Sequence, residues 1–179
     1  YQIKPFGLLF SSFEEVILLD ADSILFKNPE DLFYQRKYLD TGTLFFHDQQ
    51  NKKIHKNNTI KFIKNNINTD FSNLYGQQFY EQCSSLLLFN KKKKWLSLLG
   101  VCGLNYDHKN TYKYLFGDKD TFWLGCMLFN QIPSFNSRLG ILSYPDKIKN
   151  LRKDYSEKHG GIRVLGEGDK VFLDESDEI

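Results

Sequence analysis

The sequence predicts an α/β layer fold, on three observations. Short, wholly apolar runs of strand length recur along it: Val16–Leu19, Thr43–Phe46 and Leu86–Phe89. Stretches with helical apolar spacing separate these runs, and alternating strands and helices are the pattern of an α/β layer architecture. Each run ends abruptly in polar residues, Asp20, His47-Asp48 and Asn90-Lys91. Asp20 thereby sits at the carboxyl end of a strand, where open α/β sheets bind ligands.

In chain order, Lys4–Ser12 reads as a short helix opening near Pro5, apolar at Phe6, Leu8, Leu9 and Phe10. Val16–Leu19 is apolar on both faces, as in a central strand covered on each side. Asn28-Pro29 then marks a helix start, Asn28 as cap and Pro29 in the first turn. Gly42 precedes the second strand. From Gln49 to Asn68 the chain is rich in Asn and Lys, with a weak helical beat at Ile54, Ile60 and Ile63, and reads as a surface insertion over 49–68. Leu86–Phe89 is the third strand, Lys91–Lys94 a solvated turn or helix start, and Trp95–Val101 a helix. Tyr112–Phe116 is expected to be helical. Gly117-Asp118-Lys119-Asp120 is a polar turn before the apolar helix Thr121–Gly125. Past Pro133 only Val171–Leu173 suggests an element.

Length and charge bound the partners. With 179 residues the chain is one domain by the usual prior, and 41% hydrophobic and 16% aromatic content supports a full core. A net charge of +2, from 24 basic and 22 acidic residues, supplies no clustered basic face for nucleic acid. No apolar run approaches the roughly 18 residues of a membrane span. Cys83, Cys102 and Cys126 have no metal-ligand spacing, and Asn57-Asn58-Thr59 is a glycosylation sequon that matters only in the secretory pathway.

Asp20 stands at a strand end and Asp22 follows after one small residue, so two carboxylates can converge on one hard cation, Mn²⁺ or Mg²⁺. Such a cation would neutralise a departing diphosphate. A lone Asp-x-Asp also ends strands and caps helices without any ligand. Asp118 and Asp120 suit helix capping, or contact with sugar hydroxyls. The four histidines, His47, His55, His108 and His159, are scattered; as a third metal ligand the best placed are His47, followed by Asp48 after a strand, and His159, before Gly160-Gly161. Trp95 and Trp123 follow helical apolar spacing and are expected in the core.

Taken together, the segment Phe13–Ser23, Asn28-Pro29 with Leu32-Phe33, Thr41–Phe46, Glu81-Gln82-Cys83-Ser84-Ser85 leading to Asn90-Lys91, and Gly117–Gly125 resemble the fungal Golgi α-1,3- and α-1,2-mannosyltransferases, glycosyltransferase family 71. The resemblance covers residues 4 to 142. It implies a GT-A type fold with a mixed central sheet flanked by helices, a single partial catalytic domain over 1–179, GDP-mannose as donor, Mn²⁺, and retaining transfer to a mannose of a glycan. By the same analogy Asp22 binds the metal directly and Asp20 holds the ribose or a metal-bound water. Ser84 and Ser85 would run beside the donor sugar, Lys119 would join the donor site, and Asp118 and Asp120 would take donor or acceptor hydroxyls. The resemblance further implies a Golgi membrane protein with a lumenal catalytic domain, an anchor upstream of Tyr1, and membership of Golgi transferase complexes.

The sequence departs from that pattern in three places. Cys83 stands where an acidic residue is expected, and no downstream His supplies a third metal ligand. Only 19 residues precede Asp20, fewer than the roughly 30 of a crossover unit, so a base-binding half is expected outside this chain. Three alternatives follow from the residues: a GT-A hexosyltransferase using a UDP-sugar, a non-catalytic glycan- or partner-binding homologue, and a phosphohydrolase with Asp20 as nucleophile. The last is disfavoured by Ser23 directly after the pair.

Overall fold

The computed structural model describes residues 2–21, 23–25, 28–48, 53–67, 81–136 and 163–164. Helix α1, Ile3–Phe10, buries Pro5 and Leu8 and leads into strand β1, Glu15–Leu19. A two-residue strand β2, Ser23-Ile24, pairs in parallel with β6, Arg163-Val164. Next comes a 3₁₀ helix, Pro29–Tyr34, capped as expected: the Asn28 side chain accepts from the Glu30 amide at 3.1 Å. The element is 3₁₀ rather than α, in keeping with its six residues. Helix α2, Arg36–Thr41, was not legible in the sequence and ends on Gly42 at φ +76°, a left-handed turn that delivers the chain into β3, Thr43–His47.

Helix α3, Lys53–Asn66, is followed by the long strand β4, Gln82–Asn90. Helices α4, Trp95–Tyr106, α5, His108–Thr111, and α6, Thr121–Leu128, precede the short strand β5, Phe135-Asn136. The sheet order is β1-β4-β3-β5. Strand β4 runs antiparallel to both β1 and β3, and β5 runs parallel to β3, with a register shift in the β3–β4 ladder between Leu44 and Phe46. The fold is therefore mixed α/β, as the strand–helix alternation predicted. The carboxyl ends of β1, β3 and β5 and the amino end of β4 all lie along one rim.

Two apolar clusters flank this sheet. The larger includes Phe45, Leu87 and Phe89 from the strands, Leu98 and Val101 from α4, and Phe122, Trp123 and Cys126 from α6. The smaller gathers Leu32, Tyr38, Leu44, Phe46, Leu86 and Leu88. Helices α4 and α6 approach closely at Gly125, where an added Cβ would lie 2.4 Å from Val101 Cγ2 and 2.8 Å from the Ser97 carbonyl. Close-packed interiors leave no room to relax such a clash.

Several expectations need correction. Strand β1 is an edge of the described sheet, not a covered central strand: Val16 is buried but Ile17 and Leu18 are half-buried and Leu19 is 39% exposed. Within the segment expected at the surface, α3 is amphipathic: it buries Thr59, and its Phe62 and Ile63, with Ile67 just past its end, join the larger cluster. Its low apolar content hid this, because Lys and Asn fill the opposite face. Lys91–Lys94 is the expected turn at a helix start, with Lys92 and Lys93 exposed, but its ammonium groups are largely engaged. Lys91 Nζ reaches the Ser11 carbonyl, Lys93 Nζ the Leu39 carbonyl at 2.7 Å, and Lys94, itself buried, the Ile132 carbonyl at 3.0 Å. Three of the four ammonium groups thus satisfy carbonyls of neighbouring segments.

Tyr112–Phe116 is a series of turns, not a helix. Trp123 is in the core as expected, whereas Trp95 is half exposed. The three cysteines are buried free thiols. Val171–Leu173 lies outside the described residues.

Candidate functional site

The rim assembles carboxylates from four segments. Asp20 follows β1, and its backbone amide donates to the Ser85 carbonyl at 2.9 Å while its own carbonyl accepts from the Ser23 amide at 3.0 Å. That turn carries the chain off the sheet directly after Asp20. Ser85 is thereby the neighbour of Asp20 across the β1–β4 ladder: its carbonyl also accepts from Ser23 Oγ, and its hydroxyl from the Cys83 thiol at 3.2 Å. Ser84, next along the strand, is half-buried. Asp22 lies outside the described residues.

Opposite Asp20 stands the turn Gly117–Asp120. Gly117 takes φ +73°, a region that a side chain disfavours. A buried network fixes the turn to α4: Asn105 Nδ2 donates to Thr121 Oγ1 at 2.8 Å, Tyr112 donates to Asn105 Oδ1, and the Thr121 amide donates to the Asp118 carbonyl at 3.0 Å. The three acidic and basic residues of the turn then diverge in role.

Asp118 is 1% exposed, and its Oδ2 finds no hydrogen-bond partner among the described residues. Burial raises its pKa, the Lys4 ammonium opposes that rise, and the charge of Asp20 adds to it. The first turn of α1 therefore supplies the cation of this group: Lys4 Nζ forms an ion pair with Asp20 Oδ1, both side chains being mostly covered. Lys4 was read in the sequence only as the start of a helix. Because α1 precedes β1 and the chain reverses between them, the first turn of the helix returns to the end of the strand, which sequence spacing does not display.

Asp120 is fully buried. Its Oδ1 accepts from the Gln82 amide at 3.0 Å and from Trp123 Nε1 at 2.8 Å. It occupies the cap position of α6 in a helical backbone conformation, φ −80°, and makes no capping bond, so the capping reading is replaced by a bridge between β4 and α6. Burial pushes its pKa up to about 6, partly offset by those two hydrogen bonds and by Lys119.

Lys119 pairs with Asp48 Oδ2 at 3.0 Å and with Glu81 Oε2, and lies 5.5 Å from the centre of the Phe116 ring. Burial acts to lower its pKa, but the Glu81 hydrogen bond, with the charges of Asp120 and Asp48, holds it above the ordinary value. The Asp48 amide also donates to the Glu81 carbonyl at 2.7 Å, so this clasp ties the end of β3, the start of β4 and the turn before α6. Beside it the Gln82 side-chain amide is buried with neither polar atom bonded to a described residue.

The structure thus brings Asp20, Ser85, Asp118, Lys119 and Asp120 to one rim. Lys4, Glu81, Gln82 and Asn105 join them without having been singled out in the sequence as site residues. The histidines do not assemble with them: His47 stacks on Phe135 at 4.8 Å, and His108 packs edge-on to Tyr112 at 6.0 Å. The side chain of His55 and all of His159 lie outside the described residues. Among the described residues no group of three His, Cys, Asp or Glu side chains is placed to hold a metal. Asp20 does fit one half of such a site, being an oxygen donor at the strand end that already carries a cationic partner. Among the described residues no helix is long and apolar enough to cross a membrane.

Comparison with known proteins gives a consistent result. The family model described as "Mannosyltransferase putative" matches residues 1–161. Among similar curated proteins, "Putative alpha-1,3-mannosyltransferase MNN14" of Candida albicans is 29% identical over 170 residues, covering 83% of this chain and 25% of that protein. "Putative alpha-1,3-mannosyltransferase MNN1" of the same organism is 33% identical over 139 residues, 68% of this chain and 17% of that one. "Alpha-1,3-mannosyltransferase MNT3" of Saccharomyces cerevisiae is 30% identical over 166 residues, 76% of this chain and 26% of that one. The chain spans about a quarter or less of the length of these relatives.

Proposed function

The chain belongs to this mannosyltransferase family, and from that premise we propose that its carboxylate rim is the donor site of a metal-dependent, retaining α-mannosyltransferase that moves mannose from GDP-mannose to a mannose of a glycan. The observation that carries the reading is the convergence of Asp20, at the carboxyl end of β1, with the buried carboxylate of Asp118, which feels the Asp20 charge and has an oxygen without a hydrogen-bond partner among the described residues. A strand-end acid beside a second buried acid is an arrangement suited to ligands with a cation and hydroxyls, and strand ends are where open α/β sheets bind them. The mixed sheet, with β4 reversed between β1 and β3, accords with a GT-A type domain.

Asp20 and Asp22 would hold Mn²⁺ or Mg²⁺. When bound, the cation neutralises charge on the departing diphosphate. Ser85, adjacent to Asp20 across the ladder, places the β4 backbone along the donor, with Ser84 beside it. Asp118 accepts hydrogen bonds from sugar hydroxyls, and Asp120 fixes the turn that presents Asp118. Lys119 contributes as the centre of the clasp that sets the height of that turn, while remaining near enough to influence the donor pocket electrostatically. The proposed setting is the lumenal side of the Golgi in protein glycosylation, with the membrane anchor and any complex partners contributed by other parts of the protein.

Asp-x-Asp chemistry reads diphosphate and metal but not the base, so a donor panel tests the reading. Mannose transfer from GDP-mannose to an α-mannoside acceptor is expected, abolished by a chelator and restored by Mn²⁺. Transfer from a UDP-sugar instead would replace the donor assignment. Glycan binding without any transfer would favour a non-catalytic homologue.

A further inference from the structure

The rim holds one cation whose position the donor-site reading does not itself explain. Lys4 reaches Asp20 from α1, and α1 is fastened at both ends. At its start, the Cys102 thiol of α4 contacts the Pro5 carbonyl at 3.6 Å; at its end, Lys91 Nζ reaches the Leu9 and Ser11 carbonyls. The Lys4 ammonium is therefore presented by a fixed element rather than by a loose segment. Its side chain keeps 30% of its surface open, whereas Asp118 beside it is 1% exposed and has an oxygen with no partner among the described residues.

A surface ion pair would be worth little and would need no such support. A buried acceptor without a donor, by contrast, is unfavourable unless something supplies the hydrogen bond. Sugar hydroxyls both donate and accept, so a carboxylate and an ammonium side by side satisfy them in full. Phosphate oxygens only accept at neutral pH, and would leave the Asp118 oxygen unpaired.

We propose that Lys4 is a sugar-binding residue of the donor site: its ammonium donates to hydroxyl oxygens of the transferred hexose while the buried Asp118 carboxylate accepts from hydroxyl hydrogens. The assignment rests on the donor-site reading above and adds to it the residue that distinguishes a nucleotide sugar from a bare nucleotide. In the ligand-free site Asp20 holds the ammonium in place. A metal ion on Asp20 would take over that carboxylate and leave Lys4 to Asp118 and the sugar.

The test is binding of GDP and of GDP-mannose, each with Mn²⁺, to the unaltered chain, Lys4→Ala and Lys4→Arg, with folding of each verified by circular dichroism. Lys4→Ala is expected to retain GDP binding within about threefold and to lose GDP-mannose binding at least tenfold, about 1.4 kcal/mol, with Lys4→Arg restoring part of the loss. Equal weakening of both ligands would assign the ammonium to phosphate and overturn the proposal, as would no change in either. Failure of the unaltered, folded full-length protein to bind either nucleotide would contradict the donor-site reading itself and remove this assignment with it, a result distinct from loss in the variant alone. A misfolded Lys4→Ala leaves Lys4→Arg and Lys4→Met to decide by the same ratio.

Discussion

Replacing Asp120 with Asn is expected to make the protein more stable at pH 7 while keeping the turn that presents Asp118. A carboxyl whose folded pKa is about 6, against 3.8 unfolded, holds its proton more firmly in the folded state. Its contribution therefore favours the fold at low pH and is lost as pH rises from about 4 through about 6. At 1.36 kcal/mol per unit, the fully ionised group opposes folding by about 3 kcal/mol. Asn is the uncharged isostere: its Oδ1 can still accept from the Gln82 amide and Trp123 Nε1. Urea denaturation across pH 4–8 should show the variant ahead by about 2–3 kcal/mol at pH 7, with a flatter pH profile. An unchanged pH profile would show that Asp120 does not titrate as its burial implies.

Replacing Lys119 with Met should have the opposite effect on stability. Removing one partner from a buried ion pair leaves the remaining charge uncompensated, a loss of about 3–5 kcal/mol. Here two acids are left, Glu81 at 1% side-chain exposure and Asp48 at 12%, with Asp120 fully buried nearby. Destabilisation by at least about 3 kcal/mol is expected. Lys119→Met/Glu81→Gln should recover much of the loss, because only the unpaired charge is destabilising. If the double variant proves no better than the single one, the clasp is not the source of the effect.

Local patterns were legible where one residue type decides a conformation. Asn28-Pro29 announced a capped helical turn, and the apolar runs at Thr43–Phe46 and Leu86–Phe89 announced strands, because these signals act within a few residues. Strand β1 shows the limit. Its composition is that of a covered strand, yet its place in the sheet is set by what pairs with it, and four apolar residues do not encode that. Helix α3 was obscured for a different reason: its buried face needs only Thr59, Phe62 and Ile63. The two-residue strands β2, β5 and β6 exist only through long-range pairing and leave no local pattern.

The candidate site divides the same way. Asp20, Asp118 and Asp120 were visible because acids interrupt apolar runs, and the structure does bring these three to one rim. Lys4, Glu81 and Asn105 join them from positions that read as ordinary helix or loop residues, since chain reversal places them there. The different fates of Asp118 and Asp120, one with an oxygen unpartnered among the described residues and one bonded to both β4 and α6, follow from side-chain geometry rather than from spacing.

The central claim is that the end of β1 is a metal-dependent nucleotide-sugar site, and calorimetric titration of GDP-mannose into the chain, with and without Mn²⁺ and alongside Asp22→Ala, tests it most directly. The account predicts binding that requires Mn²⁺ and falls at least a hundredfold in the variant. Binding that survives both metal removal and Asp22→Ala would contradict it.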